Sequence, residues 1–259
     1  RACPTNKGMG MIHLKSFKEI EIMRRANQII AETREVLRPM IKPGVSTYDL
    51  DRVADETIRS KGAKSAFRGY RGFPAAICVS INEEVVHGIP NKKRILKEGD
   101  ILGLDMGTIY QGYYGDSAMT FPVGAISEEA ARLLQITEES LHLGIKEARP
   151  GGRLYDIGAA VQEHAEKAGF SVVRDFVGHG IGQQLHEEPQ VPNYGQRGRG
   201  MVLQAGMVLA IEPMINAGSP DVKIKQDGWT AVTKDGKLSA HFEHSIAITE
   251  KGPVILSVL

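Results

Sequence analysis

Apolar residues fall at helical intervals in four stretches of this chain. Ile22, Ala26, Ile29, Ile30, Thr33 and Leu37 form one stripe, introduced by Ser16-x-x-Glu19 and closed by Pro39. Serine and glutamate at that spacing satisfy two orphan N–H groups at a helix start, and proline cannot continue a helix interior. A second stripe follows Pro43-Gly44, with Leu50, Val53, Ala54, Thr57 and Ile58 on one face and Gly62 as the stop. A third follows Ser127 and carries Leu134, Leu141 and Ile145. The fourth follows Pro150-Gly151, with Ile157, Ala160, Val161, His164 and Ala168 turned inward and Gly169 ending it.

Elsewhere the pattern is that of strands. Residues 75–81, 101–109, 113–123, 207–215 and 242–249 are rich in Ile, Val, Leu or Thr and bounded by Gly, Pro or Asp. Tyr110-Gln111-Gly112 reads as a hairpin turn. A two-residue loop at Tyr110-Gln111 sets Asp105 directly opposite Asp116, whereas a three-residue loop needs a bulge to keep both on one face. Residues 187–200, bearing Gly, Pro and Asn, read as a loop.

One offset links the two halves. Moving the chain by 107 positions lays Pro43, Gly44, Tyr48, Asp49, Glu56 and Gly62 on Pro150, Gly151, Tyr155, Asp156, Glu163 and Gly169. The same shift lays Leu96, Gly99, Leu102, Leu104 and Asp105 on Leu203, Gly206, Leu209, Ile211 and Glu212. Two copies of a helix–helix–strand unit suggest a pseudo-twofold domain with a shared central cleft. The pattern divides into a tail or expression remnant over 1–15 and one catalytic domain over 16–259, with the repeat at about 16–123 and 124–250.

Composition narrows the class. The 259 residues carry 32 basic and 31 acidic side chains, a net charge of +1, so no global field pulls the chain toward DNA or anionic lipid. No apolar run approaches the ~18 residues needed to span a bilayer. Cys3 and Cys78 make neither a disulfide framework nor a four-cysteine zinc site. A cytoplasmic, monomeric enzyme is the expectation.

Asp105, Asp116, His179, Glu212 and Glu243, at strand ends or in loops, are candidates for a metal centre. Two carboxylates brought together by pseudo-symmetry at the ends of apolar runs repel unless a cation lies between them. Four carboxylates and one imidazole suit two divalent ions such as Mn, Fe or Co with bridging carboxylates. The alternative is that the two aspartates are exposed hairpin charges and the two glutamates ordinary surface residues. Glycines on either side of His179 favour close approach to a ligand. No Gly-Lys-Ser/Thr follows to make a phosphate loop, and His-Glu-x-x-His is absent.

From about Ser16 to Thr249 the chain resembles the type I methionine aminopeptidases, a branch of the two-lobed pita-bread metallopeptidases. VVHGIP (85–90), LGLDMG (102–107), GDSAMTF (115–121), VGHGIGQQLHEEPQVPNY (177–194), LAIEPM (209–214) and DGWTAVTKDGKLSAHFEHS (227–245) carry the likeness. It implies an α+β fold of two pseudo-symmetric halves, with helices packed on a curved, mainly antiparallel sheet. It also implies removal of the initiator methionine from peptides with a small second residue, using two divalent ions (Co, Mn, Fe or Zn). By this resemblance Asp116 and Glu243 bridge the metals, Asp105 completes one, and His179 with Glu212 completes the other. Glu212 also moves the proton, His87 and His186 contact substrate and transition state, and Tyr70, Phe73, Cys78 and Trp229 line the methionine pocket.

Three positions depart from the family's pattern: Tyr114 and His241 stand where His and Gln are usual, and Gly107 where Thr is common. The ligands are retained, and a bacterial or organellar form fits. A prolidase-like enzyme and a non-catalytic peptide-binding module are the rivals. The basic run Lys92-Lys93-Arg94 with Lys97 is a candidate for transient contact with ribosomal RNA near nascent chains, or else a solvated loop.

Overall fold

Ser16 starts the first helix as its spacing requires. Its amide donates to Glu19 at 2.7 Å and its hydroxyl accepts from the Glu19 amide, opening α1 (Phe17–Leu37). The computed structural model describes residues 12–259. The expected tail therefore lies mostly outside the described residues, as does Cys3. Ser46 and Ser127 cap α2 (Thr47–Ser60) and α3 (Glu128–Glu147) through their hydroxyls, and the Asp156 carboxylate accepts from the Arg153 amide at the start of α4 (Leu154–Lys167). On α4 Ala165, rather than His164, occupies the inward position, and Ala168, just past the helix end, packs half-buried against the same core; His164 is half-buried and its Nε2 lies 2.8 Å from Glu139, a polar partner at the helix flank.

The 107-residue offset of the sequence is also an offset of hydrogen bonds. Gly44 donates to Leu96 and Gly151 to Leu203, both at 2.9 Å; Leu96 donates to Val45 and Leu203 to Gly152, again both at 2.9 Å. Isolated antiparallel bridges join Ser46 to Ile95 and Arg153 to Val202. Each half thus straps the start of its second helix to the segment leading into the strand that carries Asp105 or leads to Glu212.

All sheet pairings are antiparallel. In the first half, Ile101–Tyr110 lies between Cys78–Ile81 and Lys64–Ser65 and also pairs with Tyr113–Pro122. In the second, the order is Gly252–Ile255, His244–Thr249, Val208–Ile211, Gly178–Gly180, Glu187–Val191. One apolar cluster joins α1 and α2 to the first sheet through Ile30, Leu37, Leu50, Leu102 and Leu104, and another joins α3 and α4 to the second through Leu141, Ile157, Leu209 and Ile246. The structure is the α+β, two-halved arrangement that the resemblance implied.

Several expectations need correction. The hairpin loop is Gln111-Gly112, not Tyr110-Gln111, so Tyr110 faces Tyr113, Asp105 faces Ala118 and Asp116 faces Gly107. Both loop residues have positive φ, 49° and 82°, a tight-turn geometry that glycine takes without strain and that Tyr110 is spared. The register moves by two residues, so both aspartates keep one face but sit diagonally. They also lie mid-strand rather than at strand ends. The 75–81 strand begins only at Cys78, and 242–249 only at His244. Residues 207–215 divide into Val208–Ile211 and Met214–Asn216 because Pro213 has no N–H for the ladder. The 187–200 segment is not loop throughout: Glu187–Val191 is an edge strand against Gly178–Gly180.

Candidate metal centre

The seam between the halves brings the candidate ligands together. The Glu243 amide donates to the Ala118 carbonyl at 2.8 Å, the Ser117 hydroxyl to the Glu243 carbonyl at 2.8 Å, and the Ser245 hydroxyl to the Asp116 carbonyl at 2.7 Å. Glu243 sits in the two-residue break between Ser239–His241 and His244–Thr249, freed from a regular ladder. Glu212 ends Val208–Ile211, and His179 is the middle residue of Gly178–Gly180. Ligand atoms of Asp116, His179 and Glu243 all lie within 4.8 Å of one another. His179 Nε2 is 3.6 Å from Glu212 Oε1 and 3.7 Å from Asp116 Oδ2. Its Nδ1 lies 2.9 Å from the Gly180 carbonyl; donating there leaves the Nε2 lone pair for the cluster.

These groups are poorly suited to one another without a cation. Asp105 Oδ1, Asp116 Oδ1 and Glu243 Oε1 are buried with no hydrogen-bond partner. No lysine or arginine among the described residues forms an ion pair with any of the four carboxylates; only histidines approach them. Desolvation pushes Asp105 up to about 7. Desolvation, then the charges of Asp105 and Glu212, raises Asp116; desolvation, then Asp105, raises Glu212. Glu243 rises through desolvation and its three acidic neighbours. Burial lowers His179 to about 4, so its imidazole is neutral near neutral pH. Orphaned carboxylate oxygens plus one neutral imidazole fit hard-to-borderline divalent cations. The exposed-charge alternative fails for Asp116 and Glu243, which are 5% and 2% exposed.

Aromatic groups frame one side. The Tyr70 hydroxyl lies 2.8 Å from His186 Nδ1, with the two rings stacked at 5.5 Å, and the His186 ring is 4.3 Å from that of His179. Desolvation, then the charges of His179 and Arg71, holds the His186 imidazole well below its ordinary pKa. His87, at φ +62°, turns its ring edgewise to Trp229 at 6.4 Å and to Phe176 at 5.6 Å; burial lowers it to about 4. Phe73 meets Trp229 edge-on at 5.2 Å, and Cys78 pairs with Asp105 across the sheet. Tyr70, Phe73, Cys78 and Trp229 all belong to one apolar cluster, with Ile89 and Leu185. Cys78 is buried and its thiol pKa is raised, chiefly by desolvation, so it serves as a neutral apolar wall.

Some neighbours were not foreseen. Phe176 packs on His87, although it merely opens the glycine-rich run in the sequence. Asn193 donates to the Glu212 carbonyl at 3.0 Å from a segment read only as loop. Tyr114 donates its amide to Gly182, fixing the turn that leads to His186. Gly107 is required by a neighbour: a Cβ there would lie 2.5 Å from the Phe67 ring and 2.9 Å from the Ala66 Cβ. His241 Nε2 is buried without a hydrogen-bond partner. In the basic run, Arg94 turns inward to Glu84 and to the Val79 and Ile89 carbonyls, leaving Lys92, Lys93 and Lys97 outside.

The model of metallopeptidase family M24 matches residues 21–250. The chain is 54% identical to a methionine aminopeptidase of Clostridium acetobutylicum, covering 96% of this chain and 99% of that protein. It is 56% identical to methionine aminopeptidase 1 of Bacillus subtilis, covering 95% and 99%. The crystal structure of a methionine aminopeptidase from Thermotoga maritima superposes with a TM-score of 0.95 at 48% identity, over 96% of this chain and all of that one. A prolidase from Pyrococcus horikoshii shares the fold alone, at a TM-score of 0.76 and 24% identity, and the chain covers 63% of it.

Proposed function

The chain belongs to metallopeptidase family M24, and from that premise we infer that it is a metal-dependent aminopeptidase releasing methionine from the N-terminus of peptides and nascent proteins with a small second residue. The observation that carries this reading is the convergence of orphaned carboxylates and a neutral imidazole beside the apolar cluster that holds Tyr70, Phe73, Cys78 and Trp229. Asp105, Asp116, His179, Glu212 and Glu243 would hold two divalent ions of the Co, Mn, Fe or Zn type, Asp116 and Glu243 being the ligands common to both, Asp105 serving one and His179 with Glu212 the other. Bound there, they would supply Lewis acidity and a water acidic enough to ionise near neutral pH.

The chain's own groups do the rest. Glu212 takes the proton of the attacking water and delivers it to the leaving amine. His186, oriented by Tyr70, donates to the scissile carbonyl oxygen as negative charge develops on it, and His87 hydrogen-bonds the scissile amide. The acidic centre favours a free α-amine, which limits cleavage to the first residue. Phe73, Tyr70, Trp229 and Cys78 offer ring faces and a soft sulfur to the thioether. No described helix is long and apolar enough to cross a membrane. A monomeric state, residence in the cytoplasm and transient contact of Lys92, Lys93 and Lys97 with ribosomal RNA belong to the same reading.

The test is release of methionine from Met-Ala-x peptides against hydrolysis of x-Pro dipeptides. A chelator should abolish the first activity, and Mn, Co or Fe should restore it. Full activity in Glu212→Ala or His179→Ala would overturn the assignment of the centre, and preferential x-Pro cleavage would favour the prolidase rival.

A further inference from the structure

The turn that supplies Tyr70 and Phe73 also places a cation beside the pocket. Backbone bonds from Tyr70 to Phe67, Gly72 to Gly69, Phe73 to Tyr70 and Gly69 to Phe73, all between 2.8 and 3.1 Å, tie this segment tightly. Within it Arg71 adopts φ +48° and ψ +22°, a left-handed conformation in which glycine is the residue without strain. A long cationic side chain stands there instead. Its Cζ lies 5.4 Å from the centre of the Tyr70 ring. Tyr70 in turn stacks on and hydrogen-bonds His186, which neighbours His179, so an unbroken row of planar groups leads from the surface to the metal ligands.

Arg71 is exposed and, among the described residues, has no carboxylate partner. The contrast is nearby: Arg68, on the same turn, is paired with Asp51 and Asp55. Non-Gly residues kept in left-handed backbone cluster where a side chain has a task. We propose that Arg71 is a specificity-determining residue, favouring peptides that carry an acidic side chain at their third position. The inference rests on the aminopeptidase reading and adds a substrate class to it. An extended peptide advances about 3.3 Å per residue. A peptide whose scissile bond lies beside His186, and which runs outward from there along the Tyr70–Arg71 row, brings its third side chain to the guanidinium, which can hold a carboxylate by two parallel N–H donors.

The experiment compares kcat/KM of the manganese-loaded enzyme on Met-Ala-Glu-Leu, Met-Ala-Gln-Leu and Met-Ala-Lys-Leu. The glutamate peptide should lead the lysine peptide by about three- to fivefold at low salt, as expected of a solvent-exposed ion pair, through KM and less so at high salt. Arg71→Gln should bring the ratio near one, and Arg71→Glu should reverse it, which loss of packing on Tyr70 would not do. Arg71→Gly, suited to the positive φ, keeps the test available if the charged variants fold badly, and should also level the ratio. Equal ratios in the unsubstituted enzyme and Arg71→Gln overturn the proposal. Failure to release methionine from any of the three peptides would instead overturn the reading beneath it.

Discussion

His241 Nε2 lies 3.7 Å from Glu212 Oε2 inside a cleft where neither atom is fully solvated. The distance is too long for a hydrogen bond, yet the ring has no other partner at that nitrogen. Burial lowers this imidazole to about 3, so it approaches the carboxylate as a neutral N–H donor. Its backbone is fixed by mutual bonds with the Thr120 hydroxyl at 2.8 and 3.0 Å. A donor held beside a ligating carboxylate restricts which oxygen faces the cation. His241→Leu should therefore weaken Mn binding by about 10-fold or more, whereas His241→Gln, which retains a donor, should lose much less. Calorimetric titration of the metal-free protein measures this directly.

The same acidic cluster makes metal-free stability depend on pH with a definite sign. Burial pushes Asp105 up to about 7, and Asp116, Glu212 and Glu243 are raised well above the carboxylate range by burial and mutual repulsion. Raised carboxylates favour the folded state while protonated, and that contribution is lost as pH rises through the folded pKa. His87, His179 and His241 are lowered, and oppose folding only below the ordinary histidine range. Between about pH 6.5 and 8 the carboxylates act alone. In chelator the melting temperature should fall across this interval, and saturating Mn should raise it most at the upper end. A flat profile in chelator would contradict the burial of these acids.

Tyr70 meets His186 in a ring stack and a 2.8 Å contact at Nδ1; with the hydroxyl donating there, the imidazole proton stands on Nε2. His186→Ala should reduce kcat by about 100-fold or more, the scale of losing one donor to a developing oxyanion. Tyr70→Phe retains the ring stack and removes only the hydroxyl, so it should lower kcat by a smaller factor with KM nearly constant. Steady-state kinetics on one Met-Ala peptide separates the two effects.

Much of this site is legible in the linear chain, for identifiable reasons. Asp105 and Glu212 stand out because a duplicated unit places an acid at the end of the same apolar run, and His179 because glycine flanks it on both sides. The hairpin register is a harder problem: Tyr110-Gln111 and Gln111-Gly112 both leave the aspartates on one face, and only the preference of positive φ for glycine separates them. Contacts between distant segments carry no local signal. Arg94 looks like part of a basic surface until Glu84 draws it inward, and the orphaned Nε2 of His241 becomes visible only when Glu212 is set opposite it.

Gly107 shows how such a distant contact governs a position that looks permissive. It sits opposite Asp116, and its missing side chain is the space into which the Phe67 ring projects. Restoring the threonine common in the family would drive a Cβ to 2.5 Å from that ring, with Ala66 closing the other side at 2.9 Å. Gly107→Thr alone should therefore destabilise the protein by about 1–3 kcal/mol, the usual scale of overpacking in a fixed environment. Replacing Phe67 by a smaller residue should also cost stability by itself, because the ring is 8% exposed and packed in the cluster that holds Phe73 and Cys78. Combined, Gly107→Thr and Phe67→Leu should recover part of the loss, giving a favourable coupling of about 0.5–3 kcal/mol in a double-mutant cycle. Urea unfolding of the four proteins measures it, and strict additivity would show that the ring and the glycine are not matched to each other.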